Sequence, residues 1–104
     1  MRYLVEWELR PVPPDMAKRA LALLEATEAW AEAERQAERH VGNWAKTEGG
    51  GGIAIVEAES NDALFRKLQE CPYIFFMTYC VTPLTDFKLA VETAKAQLKQ
   101  MAGR

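Results

Sequence analysis

A chain of 104 residues, 49% hydrophobic and 27% charged, has the length of one domain, here residues 1–104, able to bury roughly two-thirds of its unfolded surface, and a composition far from that of disorder. Its formal net charge of -2 excludes the broad positive field of a nucleic-acid binder. No stretch approaches the ~20 apolar residues of a membrane span and no apolar signal core opens the chain, so a cytoplasmic location is expected, with neither nucleic acid nor membrane as partner.

From Tyr3 to Leu9 the residues alternate, with Tyr3, Val5, Trp7 and Leu9 on one face and Leu4, Glu6 and Glu8 on the other, the pattern of a half-buried strand. Pro11, Pro13 and Pro14 end it, and Asp15 supplies the negative charge favoured in a first helical turn. A long helix is expected from Asp15 to Arg39 on Met16, Ala20, Leu23, Leu24, Trp30 and Ala37, with Ala-rich filling of high helix propensity. Its charged second half is either a solvated extension or a helix end that touches a partner subunit. Asn43–Thr47 and Ile53–Glu59 read as two strands of a hairpin, joined by a wide, mobile loop of Glu48 and four glycines. The glycine run is no phosphate loop, because no Lys-Ser/Thr follows it and it leads into a strand.

Ser60 is the expected N-cap of a short helix carrying Leu64, Phe65 and Leu68 on one side, and Pro72 marks its end. Tyr73–Thr82 is the most strand-like stretch, closed by Pro83. Thr85 then caps a last helix through Phe87, Val91, Ala94, Leu98 and Met101, with Gly103 just beyond it. The order strand, helix, strand, strand, helix, strand, helix predicts an α+β, ferredoxin-like βαββαβ fold with an extra C-terminal helix and a four-stranded antiparallel sheet. One face of that sheet is left without helices. A bare apolar face calls for a cover, and a second copy of the chain is the simplest one, so a homodimer or higher homo-oligomer is expected.

The stretches Met1-Arg2-Tyr3-Leu4-Val5-Glu6, Val56-Glu57-Ala58-Glu59-Ser60 and Ala63-Leu64, and above all Leu68 to Tyr73 running through Met77 to Val81-Thr82-Pro83-Leu84, resemble the muconolactone isomerase-like group of small bacterial proteins. The resemblance implies a dimeric α/β barrel built from two ferredoxin-like sheets, and an isomerase that moves a proton on a small unsaturated lactone or keto compound. The alternative is a non-catalytic oligomerising or regulatory domain.

Strand alternation puts Leu4, Glu6 and Glu8 on the barrel-facing side with Ile53, Ile55 and Glu57. Glu6 and Glu57 are the expected acid/base pair, since two carboxylates in a partly dry cleft share a proton and one pKa rises. Unless Arg2, Lys46 or a partner's cation neutralises them, the same carboxylates disfavour an anionic substrate, because like charges at ~4 Å repel by about 4 kcal/mol at an effective dielectric near 20. Leu4, Glu8, Trp44, Lys46, Ile55, Thr78 and Cys80 complete the expected lining for a small-molecule ligand. The sole histidine, His40, is expected at the charged end of the first helix, where the helix dipole favours an imidazolium. Cys71 and Cys80 match neither a zinc pair nor a redox Cys-x-x-Cys and read as small hydrophobes; no metal and no cofactor is expected.

Overall fold

The computed structural model describes residues 1–103. Strands β1 (Arg2–Leu9), β2 (His40–Ala45), β3 (Gly51–Glu57) and β4 (Met77–Leu84) form one sheet in the order β2-β3-β1-β4, with every neighbouring pair antiparallel. Helices α1 (Ala17–Gln36) and α2 (Asn61–Gln69) follow β1 and β3, and α3 (Phe87–Ala102) follows β4. This is the ferredoxin-like α+β arrangement that the element order implied. Alternation decides the faces: Tyr3 and Val5 of β1 and Ala54 and Val56 of β3 are buried beneath the helices with Leu64 and Leu68 of α2. A second buried group joins Ala20 of α1 to Cys71, Tyr73 and Phe76, from the segment that leads into β4.

Several boundaries move, each for a local reason. Pro14–Met16 form a 3-10 turn and α1 proper starts at Ala17. The helix stops at Gln36 because Glu38 takes a left-handed φ of 61°, and the Arg39 N–H then bonds the Glu34 carbonyl at 3.0 Å. The reversal is short enough that His40 opens β2, three residues before the strand start expected at Asn43. At the other end of the hairpin Gly51 and Gly52 are buried members of β3, paired with Glu8 and Trp7. A Cβ on Gly52 would fall under 3.0 Å from the Trp7 ring and the Trp44 carbonyl, so this glycine is demanded by close approach. Only Gly49 and Gly50, at φ of +85° and +79°, form the turn that needs left-handed backbone. The wide four-glycine loop is thus half strand.

Residues Ile74–Phe76 coil into a 3-10 turn and β4 begins at Met77, later than expected at Tyr73. It also runs through Pro83, which an edge strand tolerates because its missing N–H leaves no ladder bond broken. Ser60 caps α2 as expected, its Oγ accepting the Ala63 N–H at 3.1 Å. For α3 the cap is Asp86 in place of Thr85, with Oδ1 accepting the Lys88 N–H at 3.3 Å. No residue of α3 is buried, and Phe87, Leu89, Leu98 and Met101 are exposed. The helix stands away from the body: the radius of gyration is 18.2 Å and the long axis 67 Å, against roughly 13 Å for the radius of a compact chain of about 100 residues.

Candidate functional site

The open face of the sheet carries the residues that alternation assigned to it. Glu6 pairs across to Ile53 and Cys80, Leu4 to Ile55 and Thr82, Glu8 to Gly51 and Thr78, and Trp44 to Ile53. Leu4, Ile53 and Ile55 are half-buried, while Glu6, Glu8, Thr78 and Cys80 are exposed. Trp44 is 57% exposed and its indole lies across Gly42, which gives the face an apolar strip of Leu4, Ile55, Ile53 and Trp44. Lys46 lies just past the end of β2, where its N–H closes the turn onto the Gly51 carbonyl at 2.8 Å. It is therefore not a member of the strand that carries Trp44.

The register separates the two glutamates expected to act together. Glu57 sits opposite Arg2 and Glu6 opposite Ile53, four positions apart and so about 14 Å along the strands at ~3.4 Å per residue. Glu57 is instead held by the Arg2 guanidinium at 2.6 Å and approached by the N-terminal amine at 4.0 Å. A shared proton between them has no geometric basis within one chain. Cys80, read as a small hydrophobe, is exposed on this face, whereas Cys71 is buried.

On the opposite, helix-covered face lies a cavity of about 370 Å³, within the range of ligand pockets, ~300–1,000 Å³. Its floor is the sheet, through Val5, Trp7, Ala54, Val56, Tyr79 and Met77; its roof is α1, through Leu24, Thr27, Glu28, Trp30 and Ala31; its far wall is Leu68, Cys71 and Tyr73. The two buried groups meet their limits here. Of the α1 alanines Ala31 lines the cavity, and its methyl group leaves volume that a larger side chain would fill.

Polar groups are few and specific. His40, the first residue of β2, is buried at 7% exposure and stacks edge to face with Trp30, ring centroids 5.4 Å apart at 82°. Its Nε2 and the Trp30 Nε1 are both buried without a hydrogen-bond partner among the described residues. Burial pushes the His40 imidazole below its usual pKa; the Glu34 carboxylate works against this, and Arg39 and Lys67 reinforce it. His40 is accordingly a neutral strand residue, not the imidazolium at a helix end that the sequence suggested. Thr27 Oγ1 donates to the Leu23 carbonyl at 2.9 Å and lies 3.9 Å from Cys71 Sγ. Burial, together with Cys71, holds the Tyr79 phenol protonated far above its ordinary range. At the entrance Trp7 Nε1 donates to Asn43 Oδ1 at 3.2 Å.

A buried ion cluster fixes the corner that carries His40. Glu34, 3% exposed, accepts from Arg39 at 2.6 and 3.0 Å and from Lys67 of α2 at 3.3 Å. Burial alone would raise the Glu34 carboxyl; the bonds from Arg39 and Lys67 outweigh it and hold the group below its usual value. Among the described residues no group of three or more His, Cys, Asp or Glu could hold a metal ion, and no helix is long and apolar enough to cross a membrane.

Sheet order, crossovers and helix placement define the class: a ferredoxin-like α+β domain, the fold also seen in muconolactone isomerase. Crystalline muconolactone isomerase superposes with a TM-score of 0.73 at 20% identity, over 83% of this chain and 90% of that one. The 5-chloro-2-hydroxyhydroquinone dehydrochlorinase of Burkholderia phenoliruptrix AC1100, solved with 2,5-dihydroxybenzoquinone, gives 0.65 at 17% identity, over 85% and 97%. The chain itself belongs to the family described as a domain of unknown function, DUF3303, which it matches over residues 1–98. No curated protein matches the sequence.

Proposed function

We propose that the protein binds a compact organic molecule in the helix-side cavity and moves a proton on it, as an isomerase acting on a small unsaturated lactone or keto compound. One observation carries this: a cavity of ligand size, walled by aromatic rings, whose lining includes the buried imidazole of His40, its pKa lowered by burial. A neutral imidazole near physiological pH accepts and returns a proton without metal help. Likeness to an isomerase and to a dehydrochlorinase bound to a hydroxylated quinone is consistent with ring-sized substrates. The test is a turnover screen of unsaturated lactones and cyclic keto compounds with H40Q beside the parent. Loss of about 100-fold is the scale expected for general acid–base work; a full-rate H40Q would end the proposal.

The open face supports a second component, assembly. Its strip of Leu4, Ile53, Ile55 and Trp44 and the unburied α3 suit a second copy of the chain, which would bury on the order of 800 Å² per partner. In a homodimer Glu6 and Glu8, with Thr78 and Cys80, would line an enclosed space between two sheets, and Glu6 then competes with His40 as the acid/base. E6Q and H40Q distinguish the two sites. Light scattering after size exclusion tests the assembly itself, and a monomer of 11.7 kDa at micromolar concentration would reject it. If neither substitution alters any turnover and no small molecule binds, the non-catalytic assembly module is what stands.

A further inference from the structure

The cavity under α1 is closed at one end and open at the other, and its charge is confined to the open end. Buried lining residues, among them Val5, Ala54, Val56 and Cys71, form the closed end, while the exposed ones, Leu9, Leu24, Glu28 and Asn43, mark the rim. The lining holds no lysine or arginine, and Glu28 is its one carboxylate residue. His40 adds no positive charge, because burial lowers the pKa of its imidazole. Glu28 also lines a groove of about 260 Å³ between α1 and β2, so it stands where the cavity and that groove meet. The cation of the groove, Arg35, is already engaged, its Nε donating to Glu32 at 3.0 Å. Glu28 makes no ion pair among the described residues, which leaves its charge uncompensated at the rim. Size sets the other condition. An apolar cavity of about 150 Å³ accepts a benzene ring, so 370 Å³ takes a ring with a short chain that reaches the rim along Leu9 and Leu24.

We infer that Glu28 is the charge filter of this cavity: a ligand enters ring first, sets a neutral or cationic head beside the Glu28 carboxylate at the rim, and is disfavoured when that head is an anion. This deepens the proposed function and rests on the cavity being the ligand site. A carboxylate carried into the closed end would lose its hydration and meet no cation; left at the rim, it would meet a like charge. An ammonium at the rim meets an opposite charge, and a hydroxyl or ketone meets neither effect. Both rim charges stay in water, so the filter acts on a few-fold scale and weakens with salt. It follows that carboxylated lactones are poor ligands, whereas neutral or amine-bearing ring compounds are good ones.

The experiment is a titration of nitrogen-15-labelled protein with phenylpropylamine, phenylpropanol and phenylpropionate, which share a ring and chain and differ in the charge of the head. The amides of Leu24, Thr27 and Cys71 report binding. At low salt the expected order of affinity is amine, alcohol, carboxylate, each step about two- to fivefold, the scale of an exposed charge pair. The steps should shrink at ~1 M salt, where the Debye length is about 3 Å. Glu28 is exposed on α1 and Gln and Lys are good helix formers, so E28Q and E28K keep the fold. E28Q should bring all three probes to the affinity of the alcohol, and E28K should reverse the order. Equal affinities in the parent, or an order unchanged in both variants, with the cavity amides shifting, would overturn Glu28 as the filter and leave the cavity as a ligand site. Tightest binding of the carboxylate by the parent would overturn it equally. If none of the three probes moves those amides, the cavity fails as the ligand site and this inference fails with it.

Discussion

Gly52→Ala adds one methyl group at the point where β3, β2 and the Trp7 ring come closest. Both the Trp7 indole and the Trp44 carbonyl would lie under 3.0 Å from the new Cβ. The indole can swing away, but the carbonyl belongs to a paired strand, so the β2–β3 pairing must also shift locally. Overpacking of this kind costs about 1–3 kcal/mol, and losing the Trp7–Asn43 hydrogen bond adds about 1 kcal/mol. A loss of about 2–4 kcal/mol lowers the melting temperature of a domain near 100 residues by on the order of 10–20 °C. Gly49→Ala is the control: nothing lies within 4 Å of its Cβ, and only left-handed strain of about 1–2 kcal/mol applies. Calorimetry measures both, and tryptophan emission follows Trp7. A Gly52→Ala variant that melts with the parent and emits at the same wavelength would refute the tight seat of Trp7 on β3.

Acid should act in two stages, because His40 and Glu34 both have lowered native pKa values. The stability tied to His40 is complete above its unfolded value of ~6.5 and is lost as pH falls from there through the lower native value. That tied to Glu34 is complete above ~4.3 and is lost below it in the same way. Urea midpoints against pH check this, H40Q flattening the upper stage and E34Q the lower. A thiol reagent is expected to label Cys80 in the dilute native protein and to reach Cys71 only on unfolding; mass spectrometry of labelled peptides reads the order. Ser60→Ala removes the α2 cap and should cost about 1 kcal/mol, measured by denaturant titration, with no change in the cavity signals.

The two faces of the sheet were legible because alternation is a local property: Tyr3 and Val5 against Leu4 and Glu6, and Met77 and Tyr79 against Thr78 and Cys80, sort themselves within each strand. Register is not local. Nothing in the Glu57 neighbourhood says that it pairs with Arg2, and the error placed two carboxylates together that lie four positions apart. His40 was misread for a related reason. The turn at Glu38 requires an uncommon left-handed non-glycine residue, and a helical pattern with no glycine or proline stop reads as continuing to Arg39. The cavity is the deepest omission. It follows from the gap left between the sheet and α1, a quantity that appears only when both of its walls are in place.

The C-terminal helix has a further consequence. A helix of 16 residues is barely beyond the length, ~12–15 residues, at which isolated helices are marginal in water, and α3 draws no burial from its own chain. Its order is therefore conditional on whatever Phe87, Leu89, Leu98 and Met101 touch. The helical signal of these 16 residues is accordingly expected to depend on what covers their apolar side chains more than that of α1 or α2 does.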